Sequence, residues 1–448
     1  MLRVAVVGSG PSGVYTAQSL VQREPGVLVD VLDRLPCPYG LVRYGVAPDH
    51  EKIKSLQNNL RTVLEHERVR FLGGVQVGPG GLPAARLREL YDAVVYCVGA
   101  ATDRHLGIPG EELPGSWSAT EFVSWYSAHP DSTADGFVLG ARSAVVIGVG
   151  NVAVDVARML ARGAAELSRT DIPQAALTAL AASGVTGIHM VGRRGPSQAR
   201  FTTKELRELG GLPDTEVTVD PAELTLDPDS LDPSVLPAAQ RRNVETLRTW
   251  AALPPSGAAR RIHLRFFLRP VELLADAGRV GAVRFERTAP DGHGGVRGTG
   301  RLEDIEAQLV LRSVGYRGVP LDGLPFDAEL GVVPHRAGRV LREGRVVPGE
   351  YVAGWIKRGP TGVIGTNRPD AKETVTSLLE DASTLVRQEA SEDPLTVLRT
   401  EGIEPVEWAG WEAIERAEAE LGASLGRGGV VKLPGWEALR EAVRASRA

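Results

Sequence analysis

Two glycine-rich segments of this chain have the residue types and the spacing to hold phosphate groups. Residues 4–13 read V-A-V-V-G-S-G-P-S-G, and residues 144–153 read A-V-V-I-G-V-G-N-V-A. Each begins as an apolar run that predicts a buried strand, and each passes through glycines into a helical pattern. In the first segment we expect Gly8, Gly10 and Gly13 to let the backbone approach a pyrophosphate, which the helix N-terminus then faces. Two such units predict two dinucleotides bound face to face, as in hydride exchange between a flavin and a nicotinamide.

The residues that follow the two segments differ in charge. Residues 27–33 form an apolar strand candidate that ends in Asp33, where a carboxylate accepts hydrogen bonds from ribose hydroxyls and repels a 2′-phosphate. The matching strand candidate, residues 187–192, is followed by Arg193 and Arg194. Two guanidinium groups suit a 2′-phosphate, although the pair also fits an ordinary solvated strand end. The contrast predicts FAD at the first segment and NADP(H) at the second.

Composition limits the class of protein. The chain has 448 residues, of which 43% are hydrophobic and 24% are charged, with a net charge of −5. This balance gives no reason to expect a nucleic acid or an anionic membrane as a partner, and no apolar run approaches the ~20 residues of a membrane span. The two cysteines, Cys37 and Cys97, are too far apart in sequence for a C-x-x-C redox pair, and they are too few to ligate an iron–sulfur cluster. We predict no metal site, and we expect a cytoplasmic location because the first strand begins at once.

Alternating strand and helix patterns predict an α/β fold with two Rossmann-like dinucleotide-binding domains. Buried strand candidates closed by glycine at residues 92–100 and 308–316 are typical of points where such a chain crosses between domains. We therefore predict a discontinuous FAD domain, residues 1–104 and 317–448, with an NADP(H) domain, residues 105–316, inserted into it. Within the inserted domain, residues 238–253 predict a helix, and the glycine-rich residues 286–304 predict a hairpin or loop.

Five further motifs resemble those of adrenodoxin reductase-type ferredoxin–NADP(+) reductases. They are G-L-V-R-Y-G-V-A-P-D-H at 40–50, I-P-G-E-E-L-P-G at 108–115, V-G-R-R-G-P at 191–196, G-W-I-K-R-G-P-T-G-V-I-G-T-N at 354–367, and the W-x-x-x-x-x-x-E ending from Trp411 to Glu418. The long fourth motif is more similar to actinobacterial members than to the mitochondrial one. The resemblance implies a glutathione-reductase-like fold and a flavoprotein that takes electrons from NADPH through FAD. It also implies that the electrons pass one at a time to a ferredoxin-type iron–sulfur protein, which can deliver them to cytochromes P450.

The resemblance also implies which positions contact each cofactor. The implied FAD contacts are Ser12, Gly13, Asp33, Leu41, Val77, Trp355, Gly362, Val363 and Ile364. The implied NADP(H) contacts are Arg104, Val149, Gly150, Asn151, Val152, Arg193, Arg194, Glu205 and Gly362. Trp355 stands where related disulfide reductases have an aspartate, and a core tryptophan is the alternative.

Three residues are candidates for a direct part in catalysis. Gly362 leaves room for a nicotinamide to stack on the flavin, and backbone amides of residues 361–365 can stabilise negative charge on the reduced flavin, although a plain helix turn would have the same sequence. The resemblance pairs His50 with Glu208, which would fix the nicotinamide or relay a proton, and a merely structural pair remains open.

Basic residues outside the motifs suggest two more roles. Arg241 and Arg242 on the predicted helix could steer an acidic ferredoxin onto what we expect to be a monomer, or they could belong to a solvated helix face. Arg200 stands where relatives usually have a small residue, and its closeness in sequence to Arg193 and Arg194 suggests that it strengthens the preference for NADPH.

Three other functions compete with the reductase interpretation. A glutamate-synthase-like electron-input subunit requires an N-terminal cysteine-rich cluster domain, which this sequence does not show. A flavin monooxygenase lacks support from any additional substrate-domain motif. A non-catalytic FAD/NADP(H)-binding sensor is disfavoured by Gly362, and it would show negligible diaphorase turnover with ferricyanide.

Overall fold

A computed structural model describes residues 1–132, 137, 140–386 and 392–446. The chain forms two compact units. Unit 1 comprises Met1–Val46, His50–Thr102 and Gly315–Ala448, and unit 2 comprises Ala47–Asp49 and Asp103–Val314. No sequence pattern predicted that Ala47–Asp49 pack with unit 2.

The strands, in chain order, are β1 (Leu2–Val7), β2 (Val27–Asp33), β3 (Val69–Gly73), β4 (Ala93–Tyr96), β5 (Thr102–Asp103), β6 (Ser116–Ser118), β7 (Ser143–Ile147), β8 (Gly187–Val191), β9 (Thr215–Val219), β10 (Arg260–Arg265), β11 (Leu268–Asp276), β12 (Arg279–Pro290), β13 (Val296–Glu306), β14 (Leu309–Arg312), β15 (Tyr316–Arg317), β16 (His335–Arg336), β17 (Arg339–Arg342) and β18 (Arg345–Val352).

The helices are α1 (Pro11–Arg23), α2 (Leu41–Tyr44), α3 (Glu51–Lys54), α4 (Leu56–Leu64), α5 (Ala84–Leu90), α6 (Ala119–Tyr126), α7 (Asn151–Ala161), α8 (Ala164–Leu167), α9 (Gln174–Ala181), α10 (Thr203–Leu209), α11 (Pro221–Thr225), α12 (Pro228–Leu231), α13 (Ala238–Ala251), α14 (Trp355–Arg358), α15 (Asn367–Asp381), α16 (Pro394–Thr400), α17 (Trp408–Ser424) and α18 (Gly435–Ala445). Short 3-10 turns occupy Pro196–Gln198, Pro233–Val235 and Ile364–Thr366.

Unit 1 is built on a seven-stranded sheet in the order β16-β17-β18-β4-β1-β2-β3. Strands β18, β4, β1, β2 and β3 run parallel, and β16 and β17 pair antiparallel at one edge. The central strands are mostly apolar because helices cover both faces of a parallel sheet. Helix α1 packs beside α15 on one of these faces, and the fingerprint turn lies at the carboxyl end of β1.

Unit 2 contains a six-stranded parallel sheet in the order β6-β14-β7-β8-β10-β9, together with an antiparallel sheet of β11, β12 and β13. The second fingerprint joins β7 to α7, next to β8. The predicted helix at 238–253 is confirmed as α13, and residues 286–304 form the hairpin of β12 and β13. Two sheets that each carry a glycine-rich strand–turn–helix unit confirm the predicted fold class. In the described part of the chain, no helix combines the length and the apolar character needed to cross a bilayer.

Candidate functional site

Glycine is required at two positions of the first fingerprint. Gly8 ends β1 with φ +110°, and a Cβ there would lie 2.5 Å from the carbonyl oxygen of Cys97. A Cβ on Gly13 would lie 1.8 Å from the carbonyl oxygen of Gly8. Any side chain at either place would therefore push α1 away from the sheet, so these glycines set the close strand–helix contact that the sequence predicted.

The N-terminus of α1 offers unsatisfied polar groups. Gly10 is the N-cap residue, and no side chain caps the helix. The Ser12 hydroxyl is buried with no nitrogen or oxygen partner among the described residues, and it lies close to the Cys97 thiol. A Cβ on Gly354 would approach this hydroxyl to 2.5 Å. Free helix amides and an orphaned buried hydroxyl fit a bound pyrophosphate, which would satisfy both.

Asp33 at the end of β2 shapes the fingerprint turn. Its Oδ2 accepts hydrogen bonds from the Ser9 amide at 2.8 Å and the Ser9 hydroxyl at 2.5 Å, and its Oδ1 accepts one from the Leu35 amide at 2.9 Å. Burial raises the pKa of this carboxyl, and the hydrogen bonds from Ser9 and Leu35 oppose the rise. A carboxylate has about four acceptor positions, so capacity for a ribose hydroxyl remains. The predicted ribose contact stays a prediction.

The loop that carries Leu41 contacts the same turn. The Tyr39 amide donates to the Ser9 carbonyl at 3.1 Å, and a Cβ on Gly40 would lie 2.9 Å from the Gly10 Cα. Leu41 is 41% exposed although it is apolar, which suits contact with a ligand. Val77, by contrast, is buried in the core of unit 1, and its role as an FAD contact stays a prediction.

The segment from Trp355 to Ile364 forms a tight turn before α15. The Trp355 indole Nε1 donates to the Thr361 carbonyl at 3.2 Å, and its ring packs against Tyr316 at 5.4 Å between centroids. Trp355 is only half-buried, so it is not a core tryptophan. Gly362 has φ +83°, and a Cβ there would lie 2.6 Å from the Thr366 hydroxyl. Helix α15 begins at Asn367, and the 3-10 turn that includes Ile364 precedes it.

Val363 lies at the exposed tip of this turn. Its side chain is 61% exposed, and its amide donates to the Thr366 hydroxyl at 3.1 Å. An exposed apolar side chain and a glycine in the left-handed region leave one side of the turn open to a ligand.

Asp370 and Lys357 were missed by sequence reasoning. Asp370 accepts a hydrogen bond from the Gly354 amide and also contacts Arg358 at 3.3 Å. The Lys357 ammonium, almost fully buried, lies 3.1 Å from Asp370 Oδ1. An acid from α15 therefore reaches the backbone beside Trp355, where the related disulfide reductases have an aspartate in the loop itself. The only available signal was a lysine–arginine pair between apolar residues, which implies a nearby acid.

The second fingerprint has the same construction in unit 2. Gly148 has φ +141°, and a Cβ there would lie 2.2 Å from the Ser313 carbonyl oxygen. Gly150 is the N-cap of α7, which no side chain caps, and nothing lies within 4 Å of a Cβ placed on it. Asn151 Oδ1 accepts from the Thr202 amide at 2.8 Å. Val149 and Val152 pack partly buried against the core. This open helix end fits a second pyrophosphate.

Arg193 and Arg194 follow β8 on a loop with a fixed backbone. The Arg193 carbonyl accepts from the Thr288 hydroxyl at 2.8 Å, and the Arg194 carbonyl accepts from the Phe267 amide at 3.2 Å. Burial lowers the pKa of Arg194, and the positive charges of Arg200 and Arg193 lower it further. Within the described residues, none of these three guanidinium groups has an ion-pair partner. An unbalanced cationic cluster fits a phosphate better than it fits an ordinary strand end.

Glu205 and Glu208 surround a buried arginine of α7. Arg158 is fully buried, and its guanidinium contacts Asp49 at 2.7 Å, Asp155 at 2.8 Å, Glu208 at 3.2 Å and Glu205 at 3.5 Å. Burial alone would lower the pKa of Arg158, but these carboxylates raise it above its usual value. This cluster holds Asp49 in unit 2. The predicted NADP(H) contact of Glu205 and the pairing of Glu208 with His50, which belongs to unit 1, both stay predictions.

Comparison with known proteins identifies the family. The model of the pyridine nucleotide-disulphide oxidoreductases matches residues 2–194. The mitochondrial NADPH:adrenodoxin oxidoreductase of Arabidopsis thaliana is 41% identical, over 98% of this chain and 94% of the relative. The NADPH-ferredoxin reductase FprA of Mycobacterium tuberculosis is 47% identical over 84% of this chain and 83% of its own. A structure of that FprA in complex with NADPH superposes with a TM-score of 0.92, at 42% identity and full coverage of both chains.

The chain belongs to the adrenodoxin reductase and NADPH–ferredoxin reductase family. The resemblance found in the motifs and the predicted fold are thereby confirmed.

The remaining residues that the sequence predicted for the site lie on the surface of unit 2. Arg104 is exposed just after the chain enters that unit. Arg241 and Arg242 are exposed on α13, and the next residue, Asn243, is buried and donates to the Phe201 carbonyl at 3.0 Å. The two arginines are therefore accessible on a well-anchored helix, and their role in docking stays a prediction.

Proposed function

We propose that this protein is an FAD-containing NADPH–ferredoxin reductase, which takes a hydride from NADPH and passes single electrons to a ferredoxin-type iron–sulfur protein. The observation that carries this proposal is the contrast between the two fingerprints. One is followed by a carboxylate that is hydrogen-bonded into its turn, and the other by three arginines that have no ion-pair partner in the described part of the chain. Family membership supports the same function.

Residues of unit 1 would hold the FAD. The amides at the start of α1 and the Ser12 hydroxyl would bind its pyrophosphate, and Asp33 would accept from a ribose hydroxyl. Leu41, Val77 and Trp355 would contact the remainder of the cofactor. Once bound, FAD supplies the ability to accept two electrons together and release them one at a time.

The turn at residues 361–365 would act on the reactive end of that cofactor. The start of α15 and the amides of the turn that do not already donate within it would place partial positive charge where negative charge develops on reduction. Gly362 would keep the adjoining space open for the nicotinamide, and Val363 and Ile364 would line it.

Residues of unit 2 would bind and orient NADPH. The N-terminus of α7, with Val149, Gly150, Asn151 and Val152, would bind the pyrophosphate, and Arg193 and Arg194 would bind the 2′-phosphate. Arg104 and Glu205 would complete the site. His50 with Glu208 would orient the nicotinamide or carry a proton, which hydride transfer itself does not require.

The partner would be an acidic iron–sulfur protein that docks at Arg241 and Arg242. Exposed guanidinium groups on a fixed helix would speed and orient the encounter. Delivery to cytochromes P450, a monomeric state and a cytoplasmic location belong to the same proposal.

Anaerobic stopped-flow reduction by NADPH and, separately, by NADH tests the proposal. The absorbance of the protein-bound flavin near ~450 nm is followed. We expect fast bleaching with NADPH and much slower bleaching with NADH, followed by reoxidation when a ferredoxin is added. Purified protein without flavin, or equal rates with the two nucleotides, would refute the assignment of the two sites.

A further inference from the structure

Arg200 lies directly beside the turn of the second fingerprint. Its amide donates to the Val149 carbonyl at 2.9 Å, and two residues later the Thr202 amide donates to Asn151 Oδ1 at 2.8 Å. Ala199 and Thr202 both have extended backbone angles. The backbone of Arg200 is therefore bound to the loop that begins α7, where a nucleotide phosphate is expected.

The neighbours of Arg200 direct its side chain outward. Ala199 and Phe201 are buried in the core of unit 2, whereas Arg200 is exposed. Burial alternates along this segment, with Arg200 exposed between two buried residues. The two buried neighbours thus anchor the segment while the guanidinium reaches the surface.

A buried acid fixes the loop that connects Arg194 to Arg200. Asp227 accepts from the Ser197 amide at 2.7 Å and from the Ser197 hydroxyl at 3.1 Å. Asp227 itself is buried and also accepts from the Ser230 hydroxyl at 2.8 Å. The spacing between the two arginines is therefore set by the fold before any ligand binds.

The arginines of this loop differ from other arginines of unit 2. Arg265 and Arg284 have carboxylate partners at 2.9 or 3.0 Å. Arg193, Arg194 and Arg200 have none among the described residues, and Arg200 contributes more than Arg193 to the lowered pKa of Arg194. Three like charges on one loop, with no ion-paired carboxylate in the described part of the chain, favour an anion that can accept several N–H donors.

We infer that Arg200 is a third guanidinium of the 2′-phosphate site and increases the preference of this protein for NADPH over NADH. This inference rests on the proposed function. The ligand group is a ribose 2′-phosphate, whose oxygens can accept bidentate hydrogen bonds from more than one arginine.

Equilibrium binding to the FAD-loaded protein tests the inference without turnover. Isothermal titration calorimetry measures the Kd of 2′,5′-ADP and of 5′-AMP for the wild type and for Arg200→Ala. We expect the Kd of 2′,5′-ADP to rise about fivefold, as for one partly exposed charge-assisted hydrogen bond, and that of 5′-AMP to stay constant. The dependence of the 2′,5′-ADP Kd on salt should also weaken. Arg207→Ala, which removes an exposed arginine of α10, is the control and should change neither Kd.

The outcomes separate the inference from the function beneath it. If the wild type binds 2′,5′-ADP more tightly than 5′-AMP, and Arg200→Ala shows the same ratio of the two Kd values, Arg200 has no part in the site. If Arg200→Ala weakens both ligands equally, or if Arg207→Ala has the same effect, the residue acts without specificity and the inference is wrong. If the wild type itself does not distinguish the two ligands, the NADP(H) assignment fails as well.

Discussion

A buried ion pair fastens the C-terminal helices to the loop that carries Leu41. The Arg43 guanidinium donates to Glu418 at 2.6 and 3.2 Å, and both side chains are more than 90% buried. The Lys432 ammonium donates to the Arg43 carbonyl at 2.6 Å, and the Trp411 ring lies 4.9 Å from the guanidinium. These contacts explain in physical terms why Trp411 and Glu418 occur together in the final motif of the family.

We expect Glu418→Gln to destabilise unit 1 strongly. Burial alone would lower the pKa of Arg43, and the charge of Glu418 raises it, which shows that the carboxylate offsets the desolvation of the guanidinium. Removing one partner of a buried ion pair costs about 3–5 kcal/mol. Glutamine keeps one acceptor for Arg43 or for the Leu433 amide, which donates to Glu418 at 2.9 Å. The expected loss is therefore about 3 kcal/mol, at the lower end of that range.

Thermal unfolding with FAD in excess measures this loss. A loss of about 3 kcal/mol should lower the Tm by roughly 6–12 °C for a unit of this size. The control is Glu415→Gln on the same helix. Glu415 Oε2 lies 2.8 Å from Arg61 Nη1, but both side chains are partly exposed, so this change should cost less than about 1 kcal/mol. If both variants unfold at the same temperature, the ion pair of Glu418 does not carry the stability that its burial implies.

Two further predictions concern the flavin turn and the pH dependence of stability. Gly362→Ala places a Cβ 2.6 Å from the Thr366 hydroxyl in a backbone with φ +83°, so we expect stopped-flow reduction by NADPH to slow at least about tenfold. The control is Gly428→Ala, which lies outside the turn and whose Cβ would meet no described atom within 4 Å. An unchanged rate would show that the turn does not border the nicotinamide. The rings of His189 and His263 stack in unit 2 with their centroids 4.5 Å apart, and burial lowers the pKa of each to about 4. The charge of Arg265 lowers the pKa of His189 further, and the charge of His189 lowers that of His263. Because the unfolded chain binds more protons between pH 6.5 and 4, stability should fall by at least about 2 kcal/mol as the pH falls through this window. Each pKa shift corresponds to roughly 3 kcal/mol before solvent screening reduces it. Chemical unfolding at both pH values should show a smaller fall for His189→Phe, and an equal fall in the two proteins would contradict the explanation.

The parts of the site that sequence reasoning found are those that depend on local geometry. Gly8, Gly13 and Gly148 are required by contacts within one strand–turn–helix unit and its neighbouring strand, so their spacing alone is informative. The hairpin of β12 and β13 and the helix α13 were likewise visible as local patterns. Asp33 was found by the same reasoning, but its hydrogen bonds to Ser9 were not, because a carboxylate at a strand end has several possible donors.

The parts that sequence reasoning missed depend on contacts between distant segments. Arg158 forms ion pairs with the carboxylates of residues 49, 155, 205 and 208, and no local sequence pattern predicts that these residues meet. A signal was present all the same: Ala157, Met159, Leu160 and Ala161 are all buried, and an arginine within such an apolar run implies acidic partners. Their identity could not be read, because it depends on how Asp49 and α10 pack against α7.

The structure therefore separates two kinds of arginine that look alike in the sequence. Arg43 and Arg158 are buried, and each forms ion pairs with carboxylates of its own unit. These ion pairs hold distant segments of the chain together. Arg193, Arg194 and Arg200 have no ion-pair partner among the described residues. They lie on the loop that follows the interior strand β8, in the unit whose helix α7 has no side-chain cap. Because like charges in proximity destabilise a fold unless something compensates them, the second group indicates where an anionic ligand belongs. Carboxylates neutralise Arg43 and Arg158, whereas these three arginines have no ion-pair partner among the residues that the structure describes, which is the charge distribution of a phosphate site rather than of a solvated loop.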